Sequence, residues 1–292
     1  MNNEQEVLYQ KQYQDTLTLL CQQKVSKLES RVTTKQCQGE AAVVANQVGE
    51  FPLEEKTTRF ANTNFEDISL KRRWITPILK NGTVLLDTLD LLKSSTDPTS
   101  AIVQAGHAAI NRFKDDVILS GYYGVNKTGK NGETSTSFAA GNIIGPTAES
   151  GDIVKQINVV LQKMQDADVD FDYDEITMVV NGLAVKKLAE SGIYMSADFM
   201  NGKVLSEKVN LPDYRGVNFV KMGKVPFYQS GDDTIYKLPI FVKSGVQFGS
   251  WGIQKVRVQE ESTKQFCPSI FMEATYGATR LEECKCYSIE TK

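Results

Sequence analysis

The chain has 292 residues, 41% of them apolar and 24% charged, with Gly 21 and Pro 8; these values exclude a collagen-like or disordered chain and supply enough apolar surface for a core. Lys+Arg 33 against Asp+Glu 36 leaves a net charge of −3, which argues against a protein whose main work is neutralising nucleic-acid phosphates and leaves room for a locally basic face. Five cysteines at 21, 37, 267, 284 and 286, with no CxxC pair and His107 as the one histidine, argue against a structural zinc site and for free thiols in a reducing cytoplasm.

The opening residues, MNNEQEVLYQKQYQDT, have neither a basic leader nor the apolar core of a signal peptide. No apolar run approaches the roughly 18 residues that a membrane helix needs, so a soluble protein with no membrane contact is expected. Residues 4–31 are rich in Gln, Glu and Lys, with Leu8, Leu17, Leu20, Val25 and Leu28 spaced loosely as on a helix. So few apolar positions do not fill a core face, and the segment reads as an exposed arm that folds against a neighbour.

Residues 32–82 hold two β-leaning stretches, VTTKQCQGEAAVVANQVG and FEDISLKRRWITPILKNG, on either side of the polar FPLEEKTTRFANTN. This pattern predicts a long hairpin that projects from the body. A two-stranded ribbon is marginal alone in water, and its edges invite pairing with another chain; a surface hairpin within the chain's own sheet is the alternative to a projecting one. Lys71, Arg72 and Arg73 form the one tight basic cluster, beside Trp74. Alternation places Arg72 and Trp74 on one face and Lys71 and Arg73 on the other. Ion pairs with Glu54, Glu55, Glu66 or Asp67 account for the cluster more economically than nucleic-acid binding does.

The clearest helix is predicted over 97–121. Asp97 suits the N-cap, Pro98 the first turn, and Ile102, Gly106, Ala109, Phe113 and Val117 share one stripe as the helix core face, with the end near Gly121. Its length is about 35 Å at 1.5 Å per residue. Asp115 and Asp116 near its C-terminus oppose the macrodipole, so a cation should lie close, with Arg112 as one candidate. Residues 124–151 concentrate Gly, Ser, Thr and Asn and read as a loop or flexible hairpin.

Ser150-Gly151-Asp152 opens a second amphipathic helix carrying Ile153, Ile157, Val160, Leu161 and Met164, closed by the acidic run DADVDFDYDE. EITMVVNG then reads as a buried strand and LAVKKLAESG as a short helix stopped by Gly192, followed by further β-leaning segments. In the tail, strands are expected on either side of Tyr276-Gly277-Ala278, with Cys284 and Cys286 sharing a strand face. The fold class is α+β.

Catalytic patterns are scarce. No GxSxG, Walker A or GxGxxG occurs, and KTGKNGETS lacks phosphate-loop spacing. A triad would have to use His107, set among alanines on the long helix, where a packed or solvent-facing role is expected. The alternate aspartates of the run 166–175 resemble the start of a calcium loop, but Phe171 and Thr177 stand where that loop needs Gly and Glu, so a solvated acidic turn is expected. No enzyme, cofactor or metal is expected; a hydrolase with a scattered site remains the catalytic alternative.

Taken in order, the polar arm, projecting hairpin, long helix, Gly/Ser/Thr loop, mixed region and returning strands resemble the major capsid protein of tailed bacteriophages, the Hong Kong 97-like fold. The local text ISLKRRWITP, DLLKSSTDPTSAIVQAGHAAINRFKDDVILSGYYG and YGATRLEE is similar to one such family. The resemblance spans most of the chain, strongest over 64–124 and 266–289 and weak over the hairpin tip and 190–260. It implies an N-terminal arm over 1–34 and an extended loop over 35–83. It implies a peripheral domain over 84–149 and 246–292 with its spine helix at 97–121, and a mixed α/β axial domain over 150–245. The implied function is a structural subunit that assembles as pentamers and hexamers into an icosahedral phage head around double-stranded DNA. Subunit contacts are then expected at Phe51, Glu54, Glu55, Arg59, Arg72, Arg73 and Trp74. Expected partners are copies of the chain, portal and scaffolding proteins, a decoration protein, and packaged DNA touched non-specifically. No long scaffolding segment is evident at the N-terminus, so scaffolding, if used, is expected from a separate protein. The expected location is the virion, after assembly in the host cytoplasm. An encapsulin-like compartment shell shares the fold and is the alternative, separated by its cargo.

Overall fold

The computed structural model describes residues 22–49, 70–86, 99–145, 152–191, 213–231 and 233–292. Its helices are α1 (Thr99–Tyr123), α2 (Ile153–Asp166) and α3 (Gly182–Glu190). Its strands are β1 (Thr33–Gln36), β2 (Ala42–Val48), β3 (Leu70–Ile75), β4 (Ile78–Leu85), β5 (Asn126–Thr128), β6 (Thr134–Thr136) and β7 (Ile143–Ile144). They continue with β8 (Ile176–Val180), β9 (Val217–Lys221), β10 (Phe227–Ser230), β11 (Asp233–Val242), β12 (Val246–Glu261), β13 (Cys267–Arg280) and β14 (Cys286–Thr291). The described residues fall into two compact units, one from 22–26, 79–113 and 253–275, the other from 27–78, 114–252 and 276–292. Among them no helix is long and apolar enough to cross a membrane.

The larger unit holds a six-stranded sheet in the order β7-β14-β11-β8-β9, with β10 paired to β11. β8 runs antiparallel to β11 and parallel to β9, and every residue of its ITMVV is buried, as expected of a strand with both neighbours and both faces covered. Of the helices, α3 packs against β8 and α2 against β14 of the same sheet. Ile153, Ile157, Val160, Leu161 and Met164 are all buried along the inner stripe of α2, as the spacing predicts. The helix starts where the Asp152 carboxylate accepts from Val154 N–H at 3.1 Å, satisfying one of the four amides a helix start leaves free. Asp152→Ala is expected to cost about 1 kcal/mol. Urea titration checks it: the midpoint should fall with an unchanged m-value.

A second sheet in this unit has the order β2-β3-β5-β6. β2 and β3 pair antiparallel from Ala42↔Ile75 out to Val48↔Leu70, the hairpin that the sequence predicts, with a bulge between Val43 and Ala45. Its base therefore lies in the chain's own sheet through β3–β5 pairing. Residues 124–145 form the short hairpin β5–β6 and then β7, which pairs parallel with β14. Cys37, Val44 and Ile75 bury a small core beneath the hairpin base, with Ala42, Trp251 and Leu281 against it. β1, read from sequence as part of the long hairpin, instead pairs parallel with β12 from Thr33↔Gln247 to Gln36↔Ser250.

In the smaller unit, α1 residues 99–113 accompany β4, the far half of β12 and the near half of β13. All eight residues of β4 are exposed, including Leu79, Val84 and Leu85. Of the expected helix core face, Phe113 at 7% and Val117 at 3% exposure are buried, Ile102 is half-buried, and Ala109 is exposed while Ala108 takes the buried slot. Ala109 is uncovered because it lines an open groove on the unit's surface.

Two glycines read as punctuation prove to be contacts. α1 continues through Gly121 to Tyr123, because a Cβ at 121 would lie 2.4 Å from Ala278 O: the residue is needed for close approach, not for termination. β13 likewise runs unbroken through Tyr276-Gly277-Ala278, where a Cβ at 277 would lie 2.4 Å from Ile75 Cγ2 and 2.6 Å from Thr76 O. Cys284 and Cys286 do not share a strand face, since Cys284 sits in the 3₁₀ turn Glu283–Lys285 and Cys286 opens β14. Among the described residues Cys37, Cys284 and Cys286 are free thiols.

Candidate functional site

The residues singled out on β3 converge at the root of the β2–β3 ribbon. β3 alternates as its sequence predicts at this end, with Arg73 and Ile75 turned inward and Arg72 and Trp74 on the half-buried face. Arg72 Nε donates to Asn46 Oδ1 at 3.0 Å, tying β3 to β2, and its NH1 donates to Lys130 O at 3.3 Å. Trp74 Nε1 donates to Gly129 O at 2.8 Å, and its ring stands about where a Cβ of Gly132 would meet it, at 3.5 Å. Gly129 and Gly132 have φ of 91° and 76°, so the β5–β6 turn is shaped by residues that take the left-handed region without strain. One arginine and one tryptophan thus clamp the ribbon to that turn.

Arg73 points the other way and is 8% exposed. Its NH1 lies 3.6 Å from Glu283 Oε1, while Nε and NH1 have no hydrogen-bond partner. Burial pushes its pKa below the usual guanidinium value and Glu283 opposes that shift, so the charge is retained. The carboxylates expected to answer the basic cluster, Glu54, Glu55, Glu66 and Asp67, lie outside the described residues, as do the expected contact residues Phe51, Glu54, Glu55 and Arg59. The partner observed for Arg73 is Glu283, and this arginine is engaged within its own chain.

Glu283 also holds Arg280, which is 0% exposed, through Nε at 3.0 Å. Arg280 NH1 donates to Tyr122 O and, at 3.0 Å, to Gly124 O; NH2 donates to Thr136 O at 3.4 Å, and the guanidinium lies 5.1 Å from the centre of the Phe138 ring. Tyr122 O and Gly124 O belong to the C-terminal end of α1, where carbonyls lack helical partners and the macrodipole is negative. Arg280 is therefore the cation that this helix end requires. Of the carboxylates from which that cation was inferred, buried Asp115 accepts from the amides of Lys27 (3.1 Å) and Leu28 (3.1 Å), and Asp116 pairs with Lys224 at 3.6 Å. Arg112, the sequence candidate, donates instead to Gln22 Oε1 and Gln23 O.

Sequence reasoning missed Arg280 and Glu283. The available signals were a helix with no basic residue in its last turn and an Arg–Glu pair three residues apart in TRLEE.

The surroundings are suited to holding shape. Cys286 is fully buried and its thiol pKa is pushed far up, chiefly by burial, which keeps it protonated and unreactive. Tyr122 Oη donates to Tyr287 O at 2.7 Å, with Ile240 O at 3.1 Å. His107 is exposed on α1. Along 166–175, Asp170 accepts from Asp172 N, Asp174 from Ser244 Oγ, and Glu175 pairs with Arg31. Among the described residues no group of three or more His, Cys, Asp or Glu is arranged to hold a metal.

At the outer end of the described ribbon, Val48 and Leu70 face each other across the ladder at 65% and 76% exposure. Cross-strand apolar pairs stabilise a ribbon when covered, and this pair is open to water.

A family described as phage capsid protein matches residues 6–292. No curated protein matches the chain. The fold is similar to that of the cyanophage Pam1 capsid, with TM-score 0.75 and 8% identity over 98% of this chain and 96% of the other. It is similar to the capsid of Ralstonia phage GP4, with TM-score 0.72 and 12% identity over 97% and 95%. A structure from Mycobacterium phage Che8 matches with TM-score 0.68 and 16% identity over 97% of both chains. The architecture is that of the Hong Kong 97-like fold.

Proposed function

Because the chain belongs to the phage capsid protein family, we propose that it is the major capsid protein of a tailed phage, whose copies associate as pentamers and hexamers into an icosahedral shell around double-stranded DNA. The observation that carries the shell reading is the exposed Val48–Leu70 pair on a ribbon whose root is clamped and whose outer end is not covered by its own chain's described residues. Such a pair gains its burial from another molecule, and repeated head-to-tail contacts around a rotation axis close into rings.

In this assignment residues 1–34 are the arm, 35–83 the extended loop, 84–149 and 246–292 the peripheral domain, and 150–245 the axial domain. Phe51, Glu54, Glu55 and Arg59 meet the neighbouring subunit, and Arg72, Arg73 and Trp74 hold the loop's root in position for that contact. The subunit performs no catalysis. Portal and scaffolding proteins guide closure in the host cytoplasm, a decoration protein adds to the outer face, and a net charge of −3 suits a wall that encloses DNA without gripping it.

Electron microscopy of the expressed chain tests this: closed shells with five-fold vertices are expected, and Leu70→Glu is expected to leave a folded subunit and reduce shell yield at least tenfold. A chain that stays monomeric at high concentration, with residues 50–69 protected from protease, would overturn it.

A further inference from the structure

Past the 3₁₀ turn Ser262–Lys264, at the tip of the β12–β13 hairpin, Gln265 and Phe266 both take left-handed backbone, with φ of 53° and 58°. For a bulky side chain this conformation is an outlier, whereas glycine adopts it without strain. Phe266 gains little cover in return. Its amide donates to Glu261 O at 3.0 Å, but the residue is 65% exposed. An aromatic ring held outward on strained backbone points to a contact made with another molecule.

The same unit carries the complementary hollow. An open groove of about 560 Å³ is floored by Ala105, Ala109 and Phe113 of α1 and walled by Val84 of β4 and Met272 of β13. The small residues at 105 and 109 keep the floor low, which leaves room for a ring that buries about 150–250 Å². Charges match as well. Lys80 and Glu273 edge the groove, with Lys80 Nζ 4.7 Å from the centre of the Phe113 ring, while Glu261 and Lys264 flank Phe266. Phe266 stands four residues before Ile270, a groove residue, or about 13 Å along the chain, and its exposure shows that it does not fill its own groove. A knob and a hollow at different places on one surface join copies head to tail. We propose that Phe266 of one copy seats in the groove between α1, β4 and β13 of a second copy. The contact rests on the shell reading, under which further copies of the chain are the partner at hand.

The test places the photocrosslinker p-benzoylphenylalanine at position 266 of the full chain, in an equal mixture of ¹⁴N- and ¹⁵N-labelled protein. Linked peptides are read by mass spectrometry, and the same sample is imaged by electron microscopy. The expected result is linkage to peptides within 80–84, 102–113 or 270–274, with mixed-isotope pairs present. Same-isotope pairs alone, linkage elsewhere or no linkage would overturn the contact. Closed shells linked elsewhere would do so while leaving the shell reading intact, and groove linkage between copies without shells would support the contact and count against the shell. Phe266→Gly is the second measurement. It relieves the backbone, so the Tm of the dissociated subunit is expected to hold or rise while shell yield falls at least tenfold. A lowered Tm or an unchanged yield would overturn the proposal.

Discussion

Arg280→Ala is expected to be the most destabilising single change at the ribbon root, lowering stability by about 3–5 kcal/mol, the range found when one partner of a buried ion pair is removed. The side chain is 0% exposed and answers four acceptors: the Glu283 carboxylate and the carbonyls of Tyr122, Gly124 and Thr136. Its loss leaves Glu283 facing Arg73 alone at 3.6 Å and uncaps the negative end of α1. Arg280→Lys is expected to rescue little, since one ammonium does not reproduce a planar fork aimed at several oxygens. The check is a urea titration of Arg280→Ala, Glu283→Ala and the double variant. Removing both should cost clearly less than the sum, and a loss below about 1 kcal/mol for Arg280→Ala would refute the assigned role.

Gly121→Ala sets two effects against each other. Inside a helix, Ala is favoured over Gly by about 1 kcal/mol. Here the new Cβ would stand 2.4 Å from Ala278 O, 2.7 Å from Ala278 C and 2.8 Å from Ala278 Cβ, and these are atoms of a strand that cannot swing away like a side-chain tip. Overpacking of this kind costs about 1–3 kcal/mol, more when backbone must move, so a net loss of about 2 kcal/mol is expected. Gly82→Ala is the control, because nothing lies within 4 Å of a Cβ there. Thermal unfolding should show a Tm lowered by several degrees for Gly121→Ala and nearly unchanged for Gly82→Ala.

Local rules made some of this structure legible. The α2 stripe and its Asp152 cap depend on spacing and on one residue's reach, and both are present where the sequence places them. The pairing of β2 with β3 follows from two β-leaning runs around a polar turn. What escaped depends on distant chain. Gly121 and Gly277 carry the same letter as a turn glycine, and the neighbours that require them, Ala278 for the one and Ile75 with Thr76 for the other, are remote in sequence. The carboxylates nearest Arg73 in sequence were the natural partners to name, yet folding brings Glu283 to it across most of the chain. Periodicity put Ala109 on the same stripe as Phe113, but spacing alone does not say how far along a helix the cover extends.

Glu283 stands between Arg73, at the root of the ribbon, and Arg280, at the end of α1. In mechanical terms the ribbon is a cantilever whose built-in end is riveted to the C-terminal end of a helix. Salt in the surrounding fluid barely weakens rivets so deeply sheltered. A sideways load applied at the Val48–Leu70 end of the described ribbon is therefore passed through Glu283 into the helix as torque.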